Sequence, residues 1–558
     1  MRIRVLGVLL LVLGALFGGG LAAPVARAAD PTWTVGTPEI VQGVTNGGES
    51  HTVRLHPVAL RAPSFEVVVQ GADGSYTKQP TVAERAYLGS VDGDPAAVAS
   101  AIIRTDGRLD GQIVFDRGAT WYFTGGNVTE TRGMTPPTAF HWPSASNDAL
   151  NVTVAPGQAG TTTYRWDIGF DIETGWFTDA GSVAAALDTV ELTTVSLLGT
   201  YEGDALLRPA LGRVVIRGSA TPSPYAGGAS LGAVCDEWRT NQADADVDDV
   251  LLLDSTGGGG VAFIGAAGTS YGCGVSGGDG AQRPIVRHEL GHTWGPYDNH
   301  TNGPEGATIQ SGNAYDRFDG TELSAIFRYR DDRQASSAPF TAEPSFAEPL
   351  PPYAALDLVP SLSSLVPAVV APIANDHDAN GDALSLLSVD GTSHLGGVVT
   401  KLGDNVAYVP PIVTTADTDD WFSYVVADAT GRTATGVVIA RVSPAPSSPP
   451  VTLPPVTLPP VTLPPVTLPP VTLPTAVSPT DGATPVEQSS MPDPAGTDPA
   501  VASDSSGGAA AGGSSVQADA LARTGSPIDR LALAGFAFLL AGVVLVCHGR
   551  RAMRPREG

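Results

Sequence analysis

Sulfur and lysine are nearly absent from this chain of 558 residues, which has three cysteines, four methionines and lysine only at Lys78 and Lys401. Three cysteines exclude a disulfide-rich scaffold and any four-cysteine zinc site. Basic charge is also scarce, with 31 Lys and Arg against 57 acids and a formal net charge of −26. That balance argues against nucleic acid as a partner, since binding it without sequence preference needs a basic face that releases counterions. Charged residues are only 16% of the chain, whereas Gly (66) and Pro (47) are abundant, so part of it should be linker. At roughly 100–200 residues per domain, the length allows three or four domains.

The two ends suggest an address. Residues 1–29 read as a secretory signal, with Arg2 and Arg4 before an apolar run at 5–21. Ala26-Arg-Ala28 is a small-x-small cleavage site, and cleavage is expected after Ala28. Residues 521–558 contain, in order, Leu521-Ala522-Arg523-Thr524-Gly525, an uncharged stretch at 531–547, and a tail with Arg550, Arg551, Arg554 and Arg556. Seventeen apolar residues span about 25 Å as a helix, enough to cross the hydrocarbon core. The pentapeptide resembles an LPxTG-type sorting signal in its LAxTG form, with all three parts present. The resemblance implies that a sortase cleaves between Thr524 and Gly525 and joins the protein to peptidoglycan. A plain single-pass anchor is the alternative.

Before this signal, residues 451–474 hold four copies of Val-Thr-Leu-Pro-Pro and a fifth Val-Thr-Leu-Pro. Such proline density forbids helix and ladder and favours polyproline II, at about 3.1 Å per residue. Residues 444–520 are expected to form a wall-crossing stalk. Residues 356–443 alternate apolar and polar positions in short runs, the pattern of a β-sandwich. With Asn375-Asp-His-Asp and Trp421-Phe-Ser-Tyr-Val-Val they resemble the Ig-like or cadherin-like modules of bacterial surface proteins. Asp376, Asp378, Asn380 and Asp382 are spaced like the first half of a Ca²⁺ loop. The twelfth position is Leu387, which excludes an EF-hand, so Ca²⁺ and a plain acidic turn both stay open.

Residues 30–155 carry several strand-like runs, and 156–340 alternate strands with helices, an α+β pattern. Residues 181–201 read as an amphipathic helix. Three of the nine histidines fall within thirteen residues, at His288, His292 and His300. On a helix, His288 and His292 lie one turn apart on one face and can share a Zn²⁺, while Glu289 projects beside the open position as general base. Gly295 and Pro296 should end that helix, and the turn brings Asp298 or His300 back toward the metal.

The sequence His288-Glu-Leu-Gly-His-Thr-Trp-Gly-Pro-Tyr-Asp298 resembles the metzincin motif in the Asp-ligand form of snapalysin-type peptidases. Phe65-Glu-Val-Val-Val and the stretch from Tyr87 to Pro95 resemble the prodomain of reprolysin/adamalysin-type proteases, and the run from Gly260 resembles their upper-rim strand. The resemblance implies a twisted mixed sheet with an active-site helix, zinc held by His288, His292 and Asp298, and a protein or peptide substrate laid along the rim. His300 is the alternative third ligand. Two features depart from the pattern. Gln310 stands where a Met-turn methionine is expected, and residues 30–155 lack a cysteine to cap the zinc. Cys235 and Cys273 are candidates for a disulfide, with two buried thiols as the alternative. The expected whole is a secreted, wall-anchored zinc metalloendopeptidase. The competing reading is a surface adhesin with a degenerate metzincin-like domain.

Overall fold

A computed structural model of the protein describes residues 32–445 except 81, 117–118, 126, 131–152, 219–222, 226–229, 257, 279–282, 299–307, 312–315 and 345–347, and also the backbone of Leu521–Thr524. The expected signal peptide, stalk, membrane span and basic tail lie outside the described residues, as do His300 and Gly525. The described residues belong to one compact unit. The architecture is mixed α and β, mostly sheet, and ends in an Ig-like module.

An antiparallel meander comes first. Its strands are Ile40–Asn46, Glu49–Pro57, Ala86–Val91, Asp94–Ile103, Leu109–Val114, Thr120–Thr124 and Asn127–Glu130, each paired with the next. Strand Asp94–Ile103 shows how the period of two is used. Ala97, Ala99, Ala101 and Ile103 fill the meander's own core, whereas Val98 and Ile102 join the core of the central domain. This sheet is therefore covered on both sides.

In the central sheet, Cys273–Gly277, Asp249–Asp254, Thr163–Ile172, Leu207–Arg217 and Arg61–Gln70 run parallel in that order. Antiparallel strands flank this parallel set, Tyr76–Lys78 on one side and the rim strand Gly259–Phe263 on the other. Leu207–Arg217 is buried at every position, as expected of a parallel strand with both faces covered. The strand Arg61–Gln70 comes from the prodomain-like region, yet Val67 pairs with Val214 and Val69 with Ile216. The expected boundary between residues 155 and 156 therefore does not separate two sheets. Its β-branched run suits an interior parallel strand better than a half-solvated meander.

Helix Val183–Leu197 lies between the central sheet and the meander, its Ser182 hydroxyl capping Ala185 N at 3.1 Å. Its sequence reads as amphipathic, and an amphipathic helix commonly turns its polar stripe to water. Instead Asp188 and Glu191 are buried, because the stripe meets arginines of the N-terminal region. Glu191 pairs with Arg61 and with Arg85 (Nη2–Oε2 2.7 Å), and Asp188 pairs with Arg85 and accepts from Thr105 N at 3.1 Å. A second tie is covalent. Cys235 on helix Leu231–Asn241 is bonded to Cys273, with Cα atoms 5.8 Å apart.

The Ig-like module packs two sheets, Asp357–Ser363, Thr433–Ser443, Thr418–Ala427 and Ser385–Val389 against Ala368–Val370, Asn405–Val409 and Val398–Leu402. Leu386, Val406, Tyr408, Phe422 and Val438 fill the space between them. The module is seated on its neighbours by specific bonds. His377 Nε2 donates to Asp204 O (2.6 Å), Tyr353 Oη to Phe318 O (3.0 Å) and Arg432 Nη2 to Ala97 O (2.7 Å).

Removing one member of a buried ion pair leaves its partner's charge uncompensated, at a cost of about 3–5 kcal/mol. Glu191→Ala would take the carboxylate from Arg61 and leave Arg85 with Asp188 alone, two arginines whose side chains are 8% and 7% exposed. Denaturant unfolding should show a stability loss of about that size.

Candidate metal centre

The motif helix, Arg283–Thr293, is held from both sides. Leu290 and the following Trp294 are fully buried, and Trp294 packs edge-on against Trp166 with ring centroids 5.5 Å apart. Tyr201 Oη donates to Arg287 O at 2.6 Å, and Arg287 pairs with Asp316. The helix ends where Gly295 adopts a φ of 114°, a region costly for other residues. Backbone N–H groups of Gly265 and Ala266 satisfy the carbonyls of His292 (2.9 Å) and Thr293 (2.8 Å). Gly295 thus turns the chain back, and Asp298 returns to the helix.

His288 Nε2 and His292 Nε2 lie 3.0 Å apart, and Asp298 Oδ1 is 3.1 Å from the first and 3.4 Å from the second. The other ring nitrogens face carbonyls, His288 Nδ1 toward Ile309 O (2.6 Å) and His292 Nδ1 toward Pro296 O (2.9 Å). A carbonyl only accepts, so each neutral ring carries its proton on Nδ1 and presents a bare Nε2. Two lone pairs and a carboxylate oxygen converge on one point, an arrangement that repels itself without a cation. Neighbouring donors around a tetrahedral Zn²⁺ at 2.0–2.1 Å stand roughly 3.3–3.4 Å apart, so the donor set and its spacing fit that ion.

The electrostatics differ among the three groups. Burial lowers His288 below the usual histidine value, and its neighbour His292 adds to this. Burial would also lower His292, but Asp298 and Glu289 outweigh it and raise the group. For Asp298, burial acts upward, yet the two imidazoles hold the carboxyl well below the usual carboxylate range. It is therefore the ionised oxygen donor that a metal needs.

Glu289 is fully buried beside the pair, under the rim strand. A Cβ built on Gly260 would stand 2.5 Å from both Glu289 Cγ and Oε1, so the strand's bare backbone lies directly against this carboxylate. Sequence reasoning placed Gly260 on a rim strand but missed why it must be glycine. The only available signal was a glycine inside a strand, which often marks close approach.

The floor is the short 3₁₀ turn Ile309–Ser311. Gln310 Nε2 donates to His288 O at 3.0 Å, while its buried Oε1 has no hydrogen-bond partner among the described residues. The cost of burying a polar amide here is therefore half relieved. Space for the amide comes from Gly291, where a Cβ would collide with Gln310 Nε2.

Beyond the rim strand lies Leu521–Thr524, the first four residues of the LAxTG pentapeptide, paired antiparallel with Gly260 opposite Thr524 and Phe263 opposite Leu521. The outer edge of the rim thus carries an extended segment of the chain itself.

Elemental analysis of protein purified without chelator should find about one Zn²⁺ per chain. His292→Ala should abolish it, Asp298→Ala should weaken it, and Gly260→Ala should leave it in place. Loss of zinc in His300→Ala with retention in Asp298→Ala would reassign the third ligand.

Residues 351–440 match the bacterial Ig domain family. No curated protein matches the chain. Among solved structures, similarity is found to a chain of a chaperone–substrate complex, at 16% identity and a TM-score of 0.25, covering 41% of this chain and 40% of that one. It is also found to metalloproteinase-II from Bacteroides fragilis, at 11% identity and a TM-score of 0.26, covering 53% of this chain and 92% of that one. A nucleoside hydrolase-related hypothetical protein from Saccharophagus degradans follows at 13% identity and a TM-score of 0.18, covering 49% and 88%. At these scores the structural likenesses settle neither fold nor function. The family match covers the Ig-like module alone.

Proposed function

We propose that the protein is a zinc-dependent endopeptidase of metzincin type, exported and joined to the cell wall through its LAxTG signal. One observation carries the catalytic part, the convergence of His288, His292 and Asp298 on a single point beside a buried Glu289. The three residues would hold Zn²⁺, which would supply Lewis acidity and lower the pKa of a water to ~7. The chain's own residues do the rest. The carbonyls of Ile309 and Pro296 hold the imidazoles in register. Glu289 accepts the water's proton and passes it to the leaving amine. The rim strand offers backbone groups to an extended peptide, in the manner of an added strand, and the pairing of Leu521–Thr524 there supports that use of the edge.

The adhesin reading keeps one observation in its favour, the polar Gln310 in the floor, whose buried Oε1 has no hydrogen-bond partner among the described residues. The enzyme reading is preferred because a binding module has no need of a carboxylate sealed beside a metal triad.

Glu289→Gln separates the two readings. The variant should keep its zinc and thermal stability while hydrolysis of a quenched-peptide library falls at least about a hundredfold. The whole chain must be assayed, because deleting residues 30–155 would remove Arg61–Gln70 from the central sheet. A zinc-loaded wild type that cleaves nothing would favour the adhesin, with Gln310→Met the substitution to test for restored activity. For anchoring, release from cells should require wall hydrolysis. Release by detergent alone would mark a simple membrane anchor.

A further inference from the structure

We propose that Asp378, Asp382 and Asp428 form a Ca²⁺ site where the Ig-like module meets the N-terminal meander. One carboxylate oxygen from each lies within 4.8 Å of the other two. Oxygens on one Ca²⁺ sit 2.3–2.6 Å from it and hence at most about 5 Å apart, so a single ion can reach all three.

The second observation is the state of the oxygens. Asp378 and Asp428 are 8% and 7% exposed. In each, Oδ1 is engaged by backbone, from Asn380 N (2.8 Å) and Asp382 N (2.9 Å) in one case and from Thr430 N (2.8 Å) and Arg432 N (2.9 Å) in the other. Each Oδ2 is buried and has no hydrogen-bond partner among the described residues. Two buried carboxylate oxygens without hydrogen-bond partners among the described residues, on side chains clustered with a third acid, are costly unless a cation joins them.

The positive group at hand does not suffice. Arg432 is influenced by Asp428, Glu348, Asp94 and Asp378 together, and its Nη2 is committed to Ala97 O of the meander. Three clustered carboxylates against one shared guanidinium leave room for a divalent charge. A set made only of oxygens favours a hard ion, and the exported location proposed above supplies Ca²⁺.

The acid-rich turn thereby divides in a way its spacing does not reveal. Asp376 Oδ1 accepts from Ala355 N (2.7 Å) and Tyr424 Oη (2.9 Å), and Asn380 Oδ1 accepts from Leu350 N (2.8 Å). Those two fasten the module. Asp378 and Asp382 turn to Asp428, which follows strand Thr418–Ala427. An ion there would clamp two loops of the sandwich beside Arg432, the residue that reaches across to the meander.

The test uses the full chain, stripped with EGTA and titrated with CaCl₂ by calorimetry, with thermal unfolding in parallel. About one Ca²⁺ per chain should bind with a Kd of about 10⁻³ M or tighter, and the unfolding temperature should rise with Ca²⁺. Asp378→Asn and Asp428→Asn should each weaken binding at least about tenfold, yet in EGTA unfold no earlier than wild type, since repulsion is relieved. Asp382→Asn, at a less buried position, provides the same comparison should either variant fail to fold. His292→Ala should titrate like wild type, which separates this site from the zinc triad and from the fate of the peptidase reading. Absence of saturable binding up to about 10 mM, or undiminished binding in the Asp variants, would overturn the proposal.

Discussion

Two backbone carbonyls, those of Ile309 and Pro296, decide what the histidine pair can do. By accepting from Nδ1 they fix both tautomers and both ring planes, and leave Nε2 of His288 and His292 as bare donors. Each carbonyl is itself set by the local chain. Pro296 follows the positive-φ Gly295, and Ile309 sits on a 3₁₀ turn anchored by the Gln310 bond to His288 O and by Ile309 N donating to Arg317 O at 3.0 Å. The helix, the return loop and the floor are therefore mutually dependent. Disturbing any one would rotate an imidazole away from the common point.

The rest of the molecule holds that assembly still. The meander, the central sheet and the Ig-like module share buried polar bonds as well as apolar surface. Arg85 reaches from the N-terminal region into helix Val183–Leu197, and Arg432 reaches from the module into the meander. Residues 30–155 also contribute a full strand to the central sheet. A segment so built in cannot be lifted away without exposing charged groups and an interior strand edge. The N-terminal region is part of what holds the site up.

Local patterns were legible in the sequence, and distant pairings were not. The spacing of His288 and His292, with Gly295 and Pro296 behind them, describes one helix and one turn, and the structure draws Asp298 to the same point as the two rings. Helical period and turn chemistry act over a few residues, so the sequence carries them openly. The place of Arg61–Gln70 beside Leu207–Arg217 depends on strand order across nearly 150 residues, which no local pattern records. The same holds for Asp428 meeting Asp378, and for Gly260 and Gly291, whose meaning is the side chain pressed against them. Helix Val183–Leu197 misled in another way. Its polar stripe was real, but arginines and not water received it.

The floor at Gln310 has a further consequence. Met1, Met134, Met491 and Met553 are the chain's only methionines, and every one lies outside the described residues. The described core therefore contains no thioether, and its two cysteines are already joined to each other. Peroxide turns a buried methionine into a polar sulfoxide and loosens whatever packs on it. Beneath these imidazoles it would meet an amide that it does not attack. That gives a floor which oxidants cannot swell, in exchange for one amide oxygen without a hydrogen-bond partner among the described residues.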